Sequence, residues 1–183
     1  MPAAPLVRGP TALRPWRDTD ISELVDLCQD PELSRWTRVP SPYGISDARA
    51  YLMARYDALY AGVTAPFAIV AADDDERLLG STSLMALSWE HARAEIGYWL
   101  GREARGHGHA TRAVALLCGW GFEHCELQRI ELRAATGNLA SQRVAERSGF
   151  TREAIQRSYF RGRDGRQDVI AFGLLRDERD AVL

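Results

Sequence analysis

The sequence predicts a mixed α/β (α+β) fold, with a central, mostly antiparallel sheet of about seven strands flanked by about four helices. Three observations carry that expectation. Short β-rich runs follow one another across turn residues as hairpins do, early around Asp73-Asp74-Asp75-Glu76 and late around Asp164-Gly165. Between them, one strand passes through a glycine-rich turn into an apolar-periodic helix and on to another strand, the pattern of a single crossover. Finally, 183 residues that are 46% hydrophobic and 26% charged are enough to bury one core, so a single domain over residues 11–178 is expected.

Leu13-Arg14-Pro15-Trp16 is short and extended; Asp18 or Asp20 then caps a helix from about Ile21 to Gln29, which Asp30-Pro31 ends. Arg35 to Gly44 holds Trp36, Pro40, Pro42 and Tyr43, a composition that breaks helices but supplies aromatic surface, so an irregular loop is expected. Ser46 or Asp47 caps a second helix to roughly Tyr60. Phe67 to Ala72 and Leu78 to Leu87 form an antiparallel hairpin. Ala94 to Leu100 is the next strand. It leads through Arg105-Gly106-His107-Gly108-His109-Ala110 into a helix on which Ala110, Ala113, Val114, Leu117 and Cys118 recur at helical spacing. Arg129 to Thr136 alternates apolar and charged residues as a half-buried strand does; Asn138 opens the last helix and Ser148-Gly149 closes it. Strands at about Glu153 to Phe160 and Gln167 to Leu175 end the pattern.

A formal net charge of −2 leaves no positive excess for holding a phosphate backbone, so no nucleic acid partner is expected. Cys28, Cys118 and Cys125 lack the paired spacing of a zinc site or a disulfide scaffold and read as core residues in a reducing compartment. Met1 to Pro10 reads as a flexible lead-in without an export signal, and no apolar run is long enough to span a bilayer. The expectation is a cytoplasmic protein with no membrane partner; a homodimer stays open.

Gly106 and Gly108 let the backbone come close to a ligand, and the first turn of the following helix offers unpaired N–H groups at a positive dipole end. A pyrophosphate suits such a site, although two glycines alone are equally a plain strand-to-helix turn. Thr111 stands where a dinucleotide fingerprint needs Gly or Ala, and the Gly-Lys-Ser/Thr ending of a P-loop is absent. What the run does match, from Arg105 to Ala110, is the acyl-CoA signature of the GNAT superfamily: Arg or Gln, two residues, Gly, one residue, then Gly or Ala. Glu95-Ile96-Gly97-Tyr98-Trp99-Leu100, Asn138-Leu139-Ala140-Ser141 with Gly149-Phe150, and Asp168-Val169-Ile170 further resemble the RimJ/RimL branch of ribosomal-protein-alanine N-acetyltransferases. The resemblance runs from Leu13 to about Leu175.

That resemblance implies an acyl-CoA-dependent N-acyltransferase, moving acetyl from acetyl-CoA to a primary amine, either a protein N-terminus or a small molecule, by direct attack in a ternary complex. It implies a sheet splayed between the family's fourth and fifth strands, with pantetheine in the gap. The backbone of Tyr98, Trp99 and Leu100 would hold pantetheine. Arg105, Gly106, His107, Gly108, His109, Ala110 and Thr111 would hold the pyrophosphate, and Asn138 and Ser141 would meet the pantetheine arm. The chemistry needs a neutral amine and a proton for the departing thiolate. Glu95 is the candidate base, its other reading being a strand-edge carboxylate paired with Arg93 or Arg133. Ser141 is the candidate proton donor, its other reading a solvent-facing helix residue. Tyr159 is the alternative acid, or else a strand residue packed on the core.

His107 and His109 lack a third ligand, so no metal is expected. Arg152, Arg157, Arg161, Arg163 and Arg166 around the last hairpin form a solvated turn, or else meet an acidic substrate or the CoA phosphates. Trp36 and Tyr43 either wall the acceptor pocket or fill the core. Two other functions stay open at this point: a non-catalytic acyl-CoA-binding module, and an acyltransferase that prefers succinyl-CoA.

Overall fold

A computed structural model of the chain describes residues 1–162 and 165–181. Eight strands form one sheet: β1 (Leu6–Arg8), β2 (Thr11–Arg14), β3 (Ala65–Ala71), β4 (Leu78–Ser88), β5 (Arg93–Leu100), β6 (Arg129–Ala135), β7 (Thr151–Gly162) and β8 (Gly165–Leu175). Their spatial order is β1-β2-β3-β4-β5-β6-β8-β7. Every neighbouring pair is antiparallel except β5 and β6, which the crossover makes parallel. The helices are α1 (Ile21–Leu27), α2 (Pro31–Trp36), α3 (Ile45–Tyr60), α4 (His109–His124) and α5 (Leu139–Arg147).

β3 shows why both faces of the sheet must be covered. All seven of its residues are buried, and successive side chains enter different cores. Phe67 and Ile69 join the core under α4, with Leu117 and Phe122; Ala68 and Val70 join the other, with Leu24 of α1 and Leu52 of α3. That is the period of two of a strand buried on both sides.

The mixed class holds, with corrections in detail. The sheet has one strand more than expected, because Leu6–Arg8, within the stretch read as a lead-in, pairs with β2. There is also one helix more. Asp30-Pro31 ends α1 early, at Leu27, and starts α2: the Asp30 side chain accepts from the Glu32 N–H at 3.1 Å, and Pro31 has no N–H to leave unpaired at a first helical position. The loop expected from Arg35 therefore begins only after Trp36. Asp164 and Arg163 lie outside the described residues; β7 and β8 are paired up to Gly162 and Gly165.

Candidate active site

The parallel ladder between β5 and β6 lasts only for the pairs Arg93–Arg129, Ala94–Ile130 and Glu95–Glu131. Beyond Glu95, β5 stays with β4 up to Leu100, while β6 stays with β8 up to Ala135. The two strands separate. Between them opens a cleft of about 750 Å³ lined by residues 96–100 and 132–135. Backbone groups at such an inner edge need a partner, and an extended ligand with amide groups supplies one.

At one end of the cleft the chain turns through the glycines into α4. Gly106 and Gly108 both lie in the left-handed region, at φ +82° and +79°. A Cβ built on Gly106 meets nothing within 4 Å, whereas one on Gly108 would sit 2.9 Å from Arg112 Nη1. Arg105, Gly106 and Ala110 line the cleft; His107, Gly108, His109 and Thr111 do not. The Arg105 guanidinium is committed inward, donating to the Leu100 carbonyl at 2.9 and 3.1 Å and paired with Asp30 at 2.6 Å. His109 Nδ1 lies 2.8 Å from Thr11 Oγ1, and burial, then Arg112 and His107, push its pKa below the usual histidine value. Both effects disfavour its charged form. What this end offers an anion is main-chain N–H groups and a helix dipole. Among the described residues no group of three metal-ligating side chains forms.

Across the cleft, the Asn138 side chain caps α5 by accepting from the Ser141 N–H at 3.0 Å. The Ser141 hydroxyl in turn accepts from the Tyr98 hydroxyl, also at 3.0 Å. Burial pushes the Tyr98 phenol up to about 12, with the Ser141 bond working in the other direction. The Tyr98 side chain was missed in the sequence, where only its backbone drew notice. Alternation along β5 carried the signal, since Tyr98 shares a face with Ile96 and Leu100, the face that packs under α4.

At the junction where the strands part, the Glu95 carboxylate is hydrogen-bonded to Arg133 in an ion pair. Arg133 also holds Glu131 at 2.8 Å and Gln156 at 3.1 Å, and lies 5.2 Å from the Tyr159 ring centre. Burial opposes ionisation of Glu131, yet Arg133 and Arg129 hold its carboxyl below the usual carboxylate range. Tyr159 is 51% exposed and lines the cleft, so it is not packed in the core. A bulge in β7 between Gln156 and Phe160 presents it: Ser158 adopts φ +54°, its N–H donating to Asp168 at 2.7 Å and its carbonyl accepting from Arg166 at 2.9 Å. Trp36 lines the cleft, its indole N–H donating to Glu32 at 2.6 Å, whereas Tyr43 is buried in the core against α1 and α3.

Comparison with known proteins gives the family and supports the fold. The family model described as the Acetyltransferase (GNAT) domain matches residues 11–151. An uncharacterized N-acetyltransferase, p20, of Bacillus licheniformis is 31% identical over 165 residues, 88% of this chain and 92% of that protein. The ribosomal-protein-serine acetyltransferase of Escherichia coli (strain K12) is 28% identical over 105 residues, 57% of this chain and 59% of that protein. A solved RimL ribosomal alpha-N-protein acetyltransferase in complex with coenzyme A shares the fold at a TM-score of 0.84 and 19% identity, over 94% of this chain and 98% of that one.

Proposed function

The chain belongs to the GNAT family of acetyl-CoA-dependent N-acetyltransferases, and on that premise we propose that it acetylates a protein N-terminal α-amine, with Glu95, Ser141 and Tyr98 forming the reactive end of the cleft. Acetyl-CoA supplies the thioester that is cleaved. The backbone of Tyr98, Trp99 and Leu100, which β6 leaves unpaired, aligns the pantetheine arm as if it were an added strand. Gly106 leaves open room before the first turn of α4, whose N–H groups take the pyrophosphate.

A new C–N bond forms as the C–S bond breaks, so one proton must leave the amine and one must reach the thiolate. Glu95 accepts the first, directly or through water, and Arg133 holds its carboxylate in place. An α-amine has a pKa near 8, so a weak base suffices near neutral pH. Ser141 relays the second, regaining its hydrogen from solvent as it gives one to sulfur, while the proton on Glu95 passes back to water. Because its oxygen already accepts from Tyr98, its own hydrogen is free to point to sulfur. The raised pKa of Tyr98 keeps that phenol protonated throughout the working range. Tyr159 and Trp36 both line the cleft.

The observation that carries this reading is the Tyr98–Ser141 hydrogen bond at 3.0 Å, in a cleft that the separation of β5 and β6 creates. The test is thiol release from acetyl-CoA with peptides that have a free N-terminus. Ser141→Ala is expected to lower kcat roughly tenfold to a hundredfold, with a smaller change in KM for acetyl-CoA, and Tyr98→Phe to lower it less. Unchanged rates in both variants would remove those roles. Thiol release no faster than background with every amine would leave only a coenzyme-binding module.

A further inference from the structure

A second cavity, of about 280 Å³, lies beside α1 and α3 and the residues between α2 and α3. Thr37 and Trp99 line both it and the large cleft, so the two share a wall. Trp99 packs in the core against α1 and α3, on the face of β5 away from Tyr98. Alternation puts Glu95 on that same face, four residues away, or about 13 Å along the strand. An amine at Glu95 and a group in the second cavity are thus separated by the reach of roughly four extended residues.

The charged lining of this cavity is Arg38, Arg55 and Asp47. The carboxylate is already engaged, since Asp47 Oδ2 accepts from the Gly44 N–H at 2.9 Å where α3 begins. Among the described residues, neither arginine is in an ion pair. Arg55 lies over the Tyr51 ring at 4.6 Å and Arg38 over the Phe160 ring at 6.0 Å. The Arg55 Nε is buried with no hydrogen-bond acceptor among the described residues. The Tyr51 hydroxyl is occupied by Ser81 at 2.9 Å. A guanidinium stacked on an aromatic ring keeps its N–H edge available, and that planar fork matches a carboxylate. Arg38 is exposed and Arg55 half-buried, but leaving the Arg55 Nε buried and unmatched is costly, and an incoming anion offsets that cost.

From this we infer that the second cavity receives a carboxylate of the acceptor. Resting on the acetyl-transfer reading above, the inference names the acceptor class: a chain with a free α-amine and an acidic side chain at about its third to fifth residue. Chains with lysine there are disfavoured by the same two charges.

The test uses three pentapeptides that begin with serine and carry glutamate, glutamine or lysine at positions three to five, assayed with acetyl-CoA by thiol release. The expected order of kcat/KM is glutamate, glutamine, lysine, with glutamate over lysine by about tenfold or more at low salt and by less at high salt. In the double variant Arg38→Gln, Arg55→Gln that ratio is expected to collapse toward unity through loss of the glutamate peptide's kcat/KM. Arg55→Lys, which keeps the charge, retains the order and shows that the site tolerates substitution. A flat or reversed order in the unaltered protein, or an order that survives the double variant, overturns the inference. Transfer to peptides without any ranking removes this inference alone, whereas no transfer to any peptide removes the acetyl-transfer reading and this with it.

Discussion

Ser141 is fixed from two sides: its N–H is held by the Asn138 side chain and its oxygen by the Tyr98 phenol. Removing the cap should therefore affect both the fold and the reaction. Asn138→Ala is expected to cost about 1 kcal/mol, read as a lowered Tm, and to reduce kcat as well, while Asn138→Asp restores both. A drop in Tm with kcat unchanged would show that the cap does not place the serine. Glu95→Gln keeps a hydrogen-bonding group beside Arg133 but cannot take a proton. It is expected to lower kcat at pH 7 roughly tenfold or more and to recover part of the loss toward pH 8, as the α-amine deprotonates unaided. A pH–rate profile parallel to that of the unaltered protein would count against Glu95 as base. Glu95, Ser141 and Tyr159 were all visible in the sequence as candidates, because the family resemblance aligned each with a position near the reacting groups. Their partners were less visible. The Tyr98–Ser141 contact joins residues that α4 and β6 separate in sequence, and no local pattern announces a meeting at that range.

At the level of elements, the glycine turn was legible and the separation of the strands was not. A left-handed backbone position leaves a chemical mark, glycine, whereas β5 and β6 part through the loss of pairing, which leaves none; the splay came from the family resemblance. Likewise Asp30-Pro31 reads as a stop, and only the packing of Leu33 and Ser34 shows that a new helix begins there. The two turn glycines should also respond differently to substitution. Each pays a backbone penalty of about 1 kcal/mol as alanine, but Gly108→Ala also displaces the Arg112 guanidinium that donates to the His107 carbonyl at 2.7 Å. Thermal melts should show Gly108→Ala as the less stable of the two; equal melting temperatures would mean that the Arg112 contact adds nothing.

Over the whole molecule, cores on both faces of one sheet hold the separated strands in place, so stability far from the cleft bears on the site. The Arg14–Asp20 pair, at 2.7 and 2.9 Å, is buried on the α1 side. Asp20→Ala leaves Arg14 buried and unmatched by a carboxylate, with an expected loss of about 3–5 kcal/mol in denaturant unfolding. The chain contains no lysine, which leaves thiols and phenols as the main side chains titrating at alkaline pH. Burial raises Cys28 to about 12 from 9.0 and Tyr98 to about 12 from 10.0. Between those values the folded chain still holds protons that the unfolded chain has released. Their contribution is thus complete below about pH 9 and lost as pH rises toward 12. Melting temperatures should fall steadily above pH 9; a flat profile from pH 9 to 11 would contradict this.

Isothermal titration of coenzyme A into the unaltered protein, Gly106→Val and Ser141→Ala tests most directly whether the separated strands and the start of α4 form the coenzyme site. Saturable one-to-one binding is expected in the unaltered protein, weakened tenfold or more in Gly106→Val and changed far less in Ser141→Ala. An absence of binding, or equal affinity in the valine variant, would contradict that assignment.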